Sequence, residues 1–240
     1  MCTVTYIPQS EDSYILTSNR DEAPKRAAIG LEELDFGHKK ILFPRDPKAN
    51  GTWIASSNTN QLVCLLNGAF EKHQHKPPYK MSRGLMVLDF FKHASALHFF
   101  HDFDFEGMEP FTLIVVEQDR LYELRWDEKK KHLKTLNPKE NHIWSSSTLY
   151  PAEWKAKRKD WFTEWENNQV TVNQASILNF HKNGGESHPH FGFVMNYKDI
   201  VRTVSISSIQ MNPYAAKFRY EDLLSKEVEN KSLAMGKQNQ

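Results

Sequence analysis

The chain has 240 residues, 39% hydrophobic and 12% aromatic, enough for one sizeable core and too many for a disordered chain. Its 31 basic and 30 acidic side chains nearly cancel, so overall charge calls for neither nucleic acid nor an anionic membrane surface. Cys2 and Cys64 are the only cysteines, which excludes a disulfide framework; with no leader pattern and no apolar run of about 18 residues, a cytoplasmic protein without a membrane span is expected.

Cys2 lies directly behind Met1. A small side chain in second position permits removal of the initiator methionine, which would leave a thiol and a free α-amine on one residue. The amine titrates at about 8 and the thiol at about 8.5. A fraction of neutral amine can therefore act as base for the adjacent thiol. Val4, Tyr6 and Ile7 predict a first strand, residues 8–13 a turn, and Tyr14, Ile15 and Leu16 a second strand. Antiparallel pairing across that turn returns Asn19, Arg20 and Asp21 to the neighbourhood of residue 2. An arginine near sulfur favours thiolate, and Asp21 could hold the protonated amine or position the arginine. The spacing alone is equally compatible with an exposed turn carrying a surface ion pair.

Residues 23–50 read as loops around short strands. Residues 51–55 and 61–67 predict a strand pair, the second almost wholly apolar as in a strand covered on both faces, with Cys64 inside it as a small hydrophobe. Asn67 ends that strand; its amide could donate to an oxyanion, or Asn67-Gly68 could be a turn dipeptide. Ser82 is expected to cap a helix running to about His98, with Met86, Phe90, Ala94 and Leu97 on one stripe. His93, His98 and His101 are read as solvent-facing, since no Cys, Asp or Glu joins them at ligand spacing. Strands follow at 111–116, 120–126 and 142–147. A helix begins at Pro151, with Trp154, Trp161 and Trp165 on one core-facing stripe, and another covers 173–182. His188 and His190 lack a third ligand for a metal. The last strands are at 199–209 and around 217–220, and the tail from Ser225 is expected to be frayed.

Cys2 with Ser18-Asn19-Arg20-Asp21-Glu22, followed by Gly51-Thr52-Trp53-Ile54, Asn67 and Ser82-Arg83-Gly84, resembles the NRDE family, also called the transport and Golgi organisation family. The resemblance is good over about residues 1–165 and implies an N-terminal-nucleophile hydrolase fold related to the cysteine-type acylases. It implies that Cys2 is the nucleophile, that Arg20 and Asp21 match the arginine and aspartate near the end of the second strand, and that Asn67 matches an oxyanion donor. The arginine falls two places later than in those hydrolases. Ser146 stands where the family has an asparagine that serves as a second donor, and Arg202, Thr203 and Ser205 are candidate pocket residues.

Strand pairs joined by short turns suit an α+β fold, a four-layer αββα sandwich of antiparallel sheets, better than a parallel arrangement. One domain is expected over 1–224, with a frayed tail at 225–240. The function expected is hydrolysis of a small-molecule, non-peptide amide or lipid-like substrate through an acyl-thioester. Cys2, Arg20, Asp21 and Asn67 would be catalytic, with Asn19, Trp53, Ser146 and Arg202 lining the substrate site and no metal or cofactor. The alternative is a non-enzymatic haem- or lipid-binding carrier on the same fold, with Cys2 or a histidine such as His188 as iron ligand.

Overall fold

The computed structural model describes residues 2–37 and 39–236, with Cys2 represented by its backbone. The expected N-terminal hairpin is present as β1 (Cys2–Ser10) and β2 (Ser13–Glu22), and its register runs from Ser10 opposite Ser13 to Cys2 opposite Arg20. Asp12 adopts a positive φ of 59° at the turn, a conformation that aspartate tolerates.

After a 3-10 turn at Pro24–Arg26 come β3 (Leu31–Asp35), β4 (Lys40–Pro44), β5 (Ile54–Ser57) and β6 (Gln61–Asn67). With β7 (Phe111–Glu117), β8 (Arg120–Trp126) and β9 (Lys131–Leu136) they form an antiparallel meander in chain order. Between β6 and β7 lie α1 (Arg83–Phe90) and α2 (Ala96–Asp102). The chain then returns to the first sheet with β10 (His142–Ser145). Helices α3 (Ala152–Asn167) and α4 (Gln174–Asn183) follow, then β11 (Asn196–Tyr197), β12 (Val201–Met211), β13 (Ala215–Asp222) and β14 (Val228–Ala234). The first sheet has the order β10-β1-β2-β12-β13-β14, with β11 pairing onto β12.

The sheets stack face to face. Val4, Tyr6, Tyr14, Leu16, Ile209 and Phe218 share one apolar cluster with Ala55, Val63, Leu65, Leu113 and Val115. The other face of the first sheet offers Ile7 and Ile15 to Phe162 of α3, Ile177 and Phe180 of α4, and Phe193. Helix α1 packs on β5 and β6. The fold is thus a four-layer αββα sandwich, as the strand pattern predicts. No helix among the described residues is long and apolar enough to cross a membrane.

Two stretches differ from expectation. The single helix expected from Ser82 to His98 is two helices, because Ser95 adopts an extended conformation and its hydroxyl accepts from the His98 amide, capping a new start. The tail expected to be frayed from Ser225 instead forms β14 over Val228–Ala234, with Leu233 buried against the core. Its polar side chains have partners: Glu229 accepts from the Leu31 amide at 2.7 Å and Lys231 donates to the Leu31 carbonyl at 2.5 Å, tying this edge to β3 of the second sheet.

The motif glycines Gly51 and Gly84 meet backbone to backbone where the lead-in to β5 crosses the start of α1. A Cβ on Gly51 would lie 2.2 Å from the Gly84 carbonyl carbon, and the Thr52 amide donates to the Gly84 carbonyl at 3.1 Å. Because the obstructing atoms are main chain, they cannot swing aside. Gly51→Ala is expected to destabilise the fold by about 1–3 kcal/mol, read as a lower urea midpoint; an unchanged midpoint would show that helix and strand separate freely.

Candidate functional site

Strand β2 runs between β1 and β12 and ends in the polar run Asn19-Arg20-Asp21-Glu22. Side chains alternate across a strand, so this run must be satisfied on both faces of a covered sheet. Asn19 and Asp21 serve the helix side; Arg20 and Glu22 serve the gap between the sheets.

On the helix side Asn19 is fully buried. Its amide nitrogen donates to the carbonyls of His181 (3.0 Å) and Phe193 (2.7 Å), leaving its oxygen to accept from His181 Nδ1 at 2.5 Å. That assigns the proton to Nδ1, so Nε2 accepts the Thr5 hydroxyl at 2.8 Å. Burial, aided by the positive charge of Arg158, holds His181 neutral, with its pKa lowered to about 3. Asn19, expected at the substrate, is therefore a strut that fixes α4 and the Phe193 segment to β2.

Asp21 is also fully buried. Thr203 donates to Oδ1 at 2.7 Å, and the Tyr150 hydroxyl donates to Oδ2. Burial raises the Asp21 pKa, while Arg158, Tyr150 and Thr203 pull it down, and burial wins. Thr203 is placed by the Met195 amide, which donates to its hydroxyl at 2.9 Å, and by the register that sets it opposite Asp21. Arg158 comes from α3, where sequence pattern pointed to the tryptophan stripe. Trp154, Trp161 and Trp165 are only half-buried, and the fully buried residues of that helix are Arg158 and Phe162.

On the gap side Arg20 is 3% exposed and is the register partner of Cys2. Its Nη2 meets Asp46 Oδ2 at 2.6 Å, its Nη1 donates to the Arg26 carbonyl, and its guanidinium lies 4.3 Å from the Trp53 ring centre. Arg26 binds the same Asp46 oxygen at 2.6 Å and Glu22 at 2.8 Å. The other Asp46 oxygen accepts from the amides of Lys48 and Ala49. Burial raises the pKa values of Asp46 and Glu22 but is outweighed, at Asp46 by amide hydrogen bonds and the arginines and at Glu22 by the chain's α-ammonium, the Ala23 amide and the arginines, so both are lowered. Among the described residues, neighbouring groups on this face lack partners: the Ser18 and Ser207 hydroxyls, opposite one another in register, and the Trp53 Nε1–H.

Asn67 ends β6 on the face that carries Leu65 and Trp53, toward the first sheet; β1 lies across β6. Its carbonyl accepts from the Ser146 hydroxyl at 2.8 Å, and its side-chain amide makes no hydrogen bond among the described residues. Ser146, expected as a second oxyanion donor, thus spends its proton on the backbone of Asn67. Among the described residues the neighbouring buried Ser147 hydroxyl has no partner, and it lies 2.4 Å from where a Cβ on Gly68 would stand, a residue whose φ of +81° also requires glycine. Arg202 is exposed at the rim, opposite Glu22 in register. Met1 lies outside the described residues, as does the side chain of Cys2.

Two antiparallel sheets enclosed by helical layers form the αββα sandwich that N-terminal-nucleophile hydrolases share. An N-acylethanolamine-hydrolyzing acid amidase ortholog of Caenorhabditis elegans matches with a TM-score of 0.60 at 10% identity, covering 87% of this chain and 92% of that one. Two variants of the conjugated bile acid hydrolase of Clostridium perfringens match at 8% identity, with TM-scores of 0.62 and 0.57, covering 99% and 100% of this chain and 94% of theirs. The chain itself belongs to the Transport and Golgi organisation 2 family, whose model matches residues 1–211. No curated protein matches it by sequence.

The depressed pKa of His181 has a sign that can be tested. Its neutral form is favoured in the folded state, so its contribution is complete above the unfolded value of about 6.5 and is lost as pH falls toward 3. Unfolding free energy should drop in that window with a slope approaching about 1.4 kcal/mol per pH unit from this group. His181→Gln should flatten that part of the curve in denaturant titrations; an identical slope would mean that the imidazole charges freely in the native state.

Proposed function

We propose that this protein is an N-terminal cysteine hydrolase of a small, non-peptide amide. The observation that carries the reading is the β1–β2 register, which sets position 2 opposite Arg20 and beside Asp21, at the end of the sandwich where Asn67 offers an unpartnered amide. With Met1 removed, the α-amine of Cys2 takes the thiol proton and the sulfur attacks the amide carbonyl carbon. The oxyanion accepts from the Asn67 amide and the Ser147 hydroxyl. Collapse breaks the C–N bond, and the leaving amine takes the proton held by the α-ammonium. Water then attacks the thioester, gives its proton to the α-amine, and the acid and thiol are released. Asp21 holds the ammonium form, and Arg20, locked by Asp46, supplies positive charge on the gap side.

The neighbouring folds include an amidase named for N-acylethanolamines and a hydrolase named for conjugated bile acids, which favours a small amide. Phe70, just beyond Asn67, and Ile200, just before Arg202, are 47% and 65% exposed and border this end with apolar surface, which suits a lipid-like acyl group.

The purified protein should have lost Met1, and a small alkylating reagent at neutral pH should label Cys2 once and leave buried Cys64 unlabelled, both read by intact mass. Cys2→Ala should abolish turnover of a panel of N-acyl amides; turnover surviving in that variant would sink the mechanism. Asn67→Ala should lower kcat about 10²–10³-fold. Ser146→Ala should cost far less, since its hydroxyl is already committed.

A further inference from the structure

Arg158 is a deeply buried cation. It is fully buried on α3, yet among the described residues no carboxylate comes within ion-pair distance of it. Its Nε donates to the Phe191 carbonyl at 2.9 Å, its Nη2 to the Gly192 carbonyl at 2.6 Å, and its Nη1 to the Thr3 hydroxyl. The guanidinium lies over the Tyr150 ring, 3.7 Å from its centre. A desolvated cation satisfied by neutral acceptors alone is costly, and such groups persist where their field is used. The field here falls on Asp21, because the phenol beneath the guanidinium donates its O–H to that carboxylate.

We infer that Arg158, acting through the Tyr150 hydroxyl, is a positioning residue that keeps Asp21 ionised and holds it in register with the start of β1. One side chain thus grips both halves of the arrangement: Nη1 binds Thr3, the residue after Cys2, and the ring face leads to Asp21. The inference rests on the N-terminal-nucleophile reading for its purpose, and on the geometry alone for the coupling between Arg158 and Asp21.

The charged and titratable groups acting on Asp21 are few, and the chain's α-ammonium is one of them, lowering its pKa. Arg158 and Tyr150 face it from α3 and the segment before it; His181 on α4 is neutral. Arg20, Glu22, Arg26 and Asp46 belong to the opposite face of β2. Burial acting alone would drive Asp21 toward its uncharged form, and without the cation and the phenolic proton that form would prevail over a wider pH range. A neutral Asp21 could not hold an α-ammonium, and the proton cycle of Cys2 would stall.

The test uses the full chain with Tyr150→Phe, which keeps the ring and removes the O–H, and Arg158→Lys, which keeps charge and removes the planar fork. The titration of Asp21 is isolated as the difference between the stability-versus-pH curves of the native chain and Asp21→Asn, repeated in each background. The midpoint of that difference should move up by about one pH unit or more in Tyr150→Phe, and by less in Arg158→Lys, which retains the charge. Should Arg158→Lys fail to fold, Tyr150→Phe carries the measurement. Unmoved midpoints would overturn the inference. The second readout is the pH profile of Cys2 alkylation, followed by intact mass, which should shift in the same direction with about a tenfold loss of rate at neutral pH. A shifted Asp21 midpoint with an unaltered alkylation profile would uphold the Arg158 coupling and refute the nucleophile reading instead.

Discussion

The constraint on which this structure depends is that a run of four polar residues, Asn19-Arg20-Asp21-Glu22, ends a strand lying in the middle of a sheet covered on both faces. Asn19, Arg20 and Asp21 are buried and Glu22 is partly so, so their polar groups must be met largely by protein groups. Much of the surrounding architecture can be read as the answer. Helix α4 supplies His181 for Asn19, and α3 with the residue before it supplies Arg158 and Tyr150 for Asp21. The irregular segment after β4 supplies Asp46 for Arg20. Remove any of these and a buried donor, acceptor or charge is orphaned.

The same constraint explains how much of the molecule was legible in sequence. The N-terminal hairpin, the meander of paired strands and the layered α+β class follow from two-residue alternation and short turns, and the structure reproduces them. Ser95 was harder to read: a serine inside an apolar stripe looks tolerable until its hydroxyl is seen taking the His98 amide and starting a new helix. Residues 228–234 look like tail because an edge strand keeps its polar side chains. The contact that fixes them, from Glu229 and Lys231 to Leu31, spans almost the whole chain.

In the candidate site, position 2, Arg20, Asp21 and Asn67 could be located from the hairpin and the motifs, but their partners could not. Asp46 sits in a Pro-flanked loop with the look of surface. Arg158 could have been noticed: it falls in the middle of the stripe formed by Trp154, Trp161 and Trp165, where a charge is out of place, and the structure gives that position the deepest burial on the helix. At Ser146 the sequence names a hydroxyl but not its partner: it donates to the Asn67 carbonyl, while its neighbour Ser147 has no partner among the described residues.

Because side chains on one strand alternate between faces, the groups around Asp21 and those around Arg20, Trp53 and Asn67 are separated by the sheet itself. Asn19, Asp21 and Arg158 on the helix side are fully enclosed, whereas Asn67 and Glu22 on the gap side are partly exposed. Substitutions at the gap side leave the helix-side carboxylate of Asp21 and its hydrogen bonds untouched. The fold is thus divided at the scale of a single strand: side chains on one side of β2 can change while those on the other keep every partner they have.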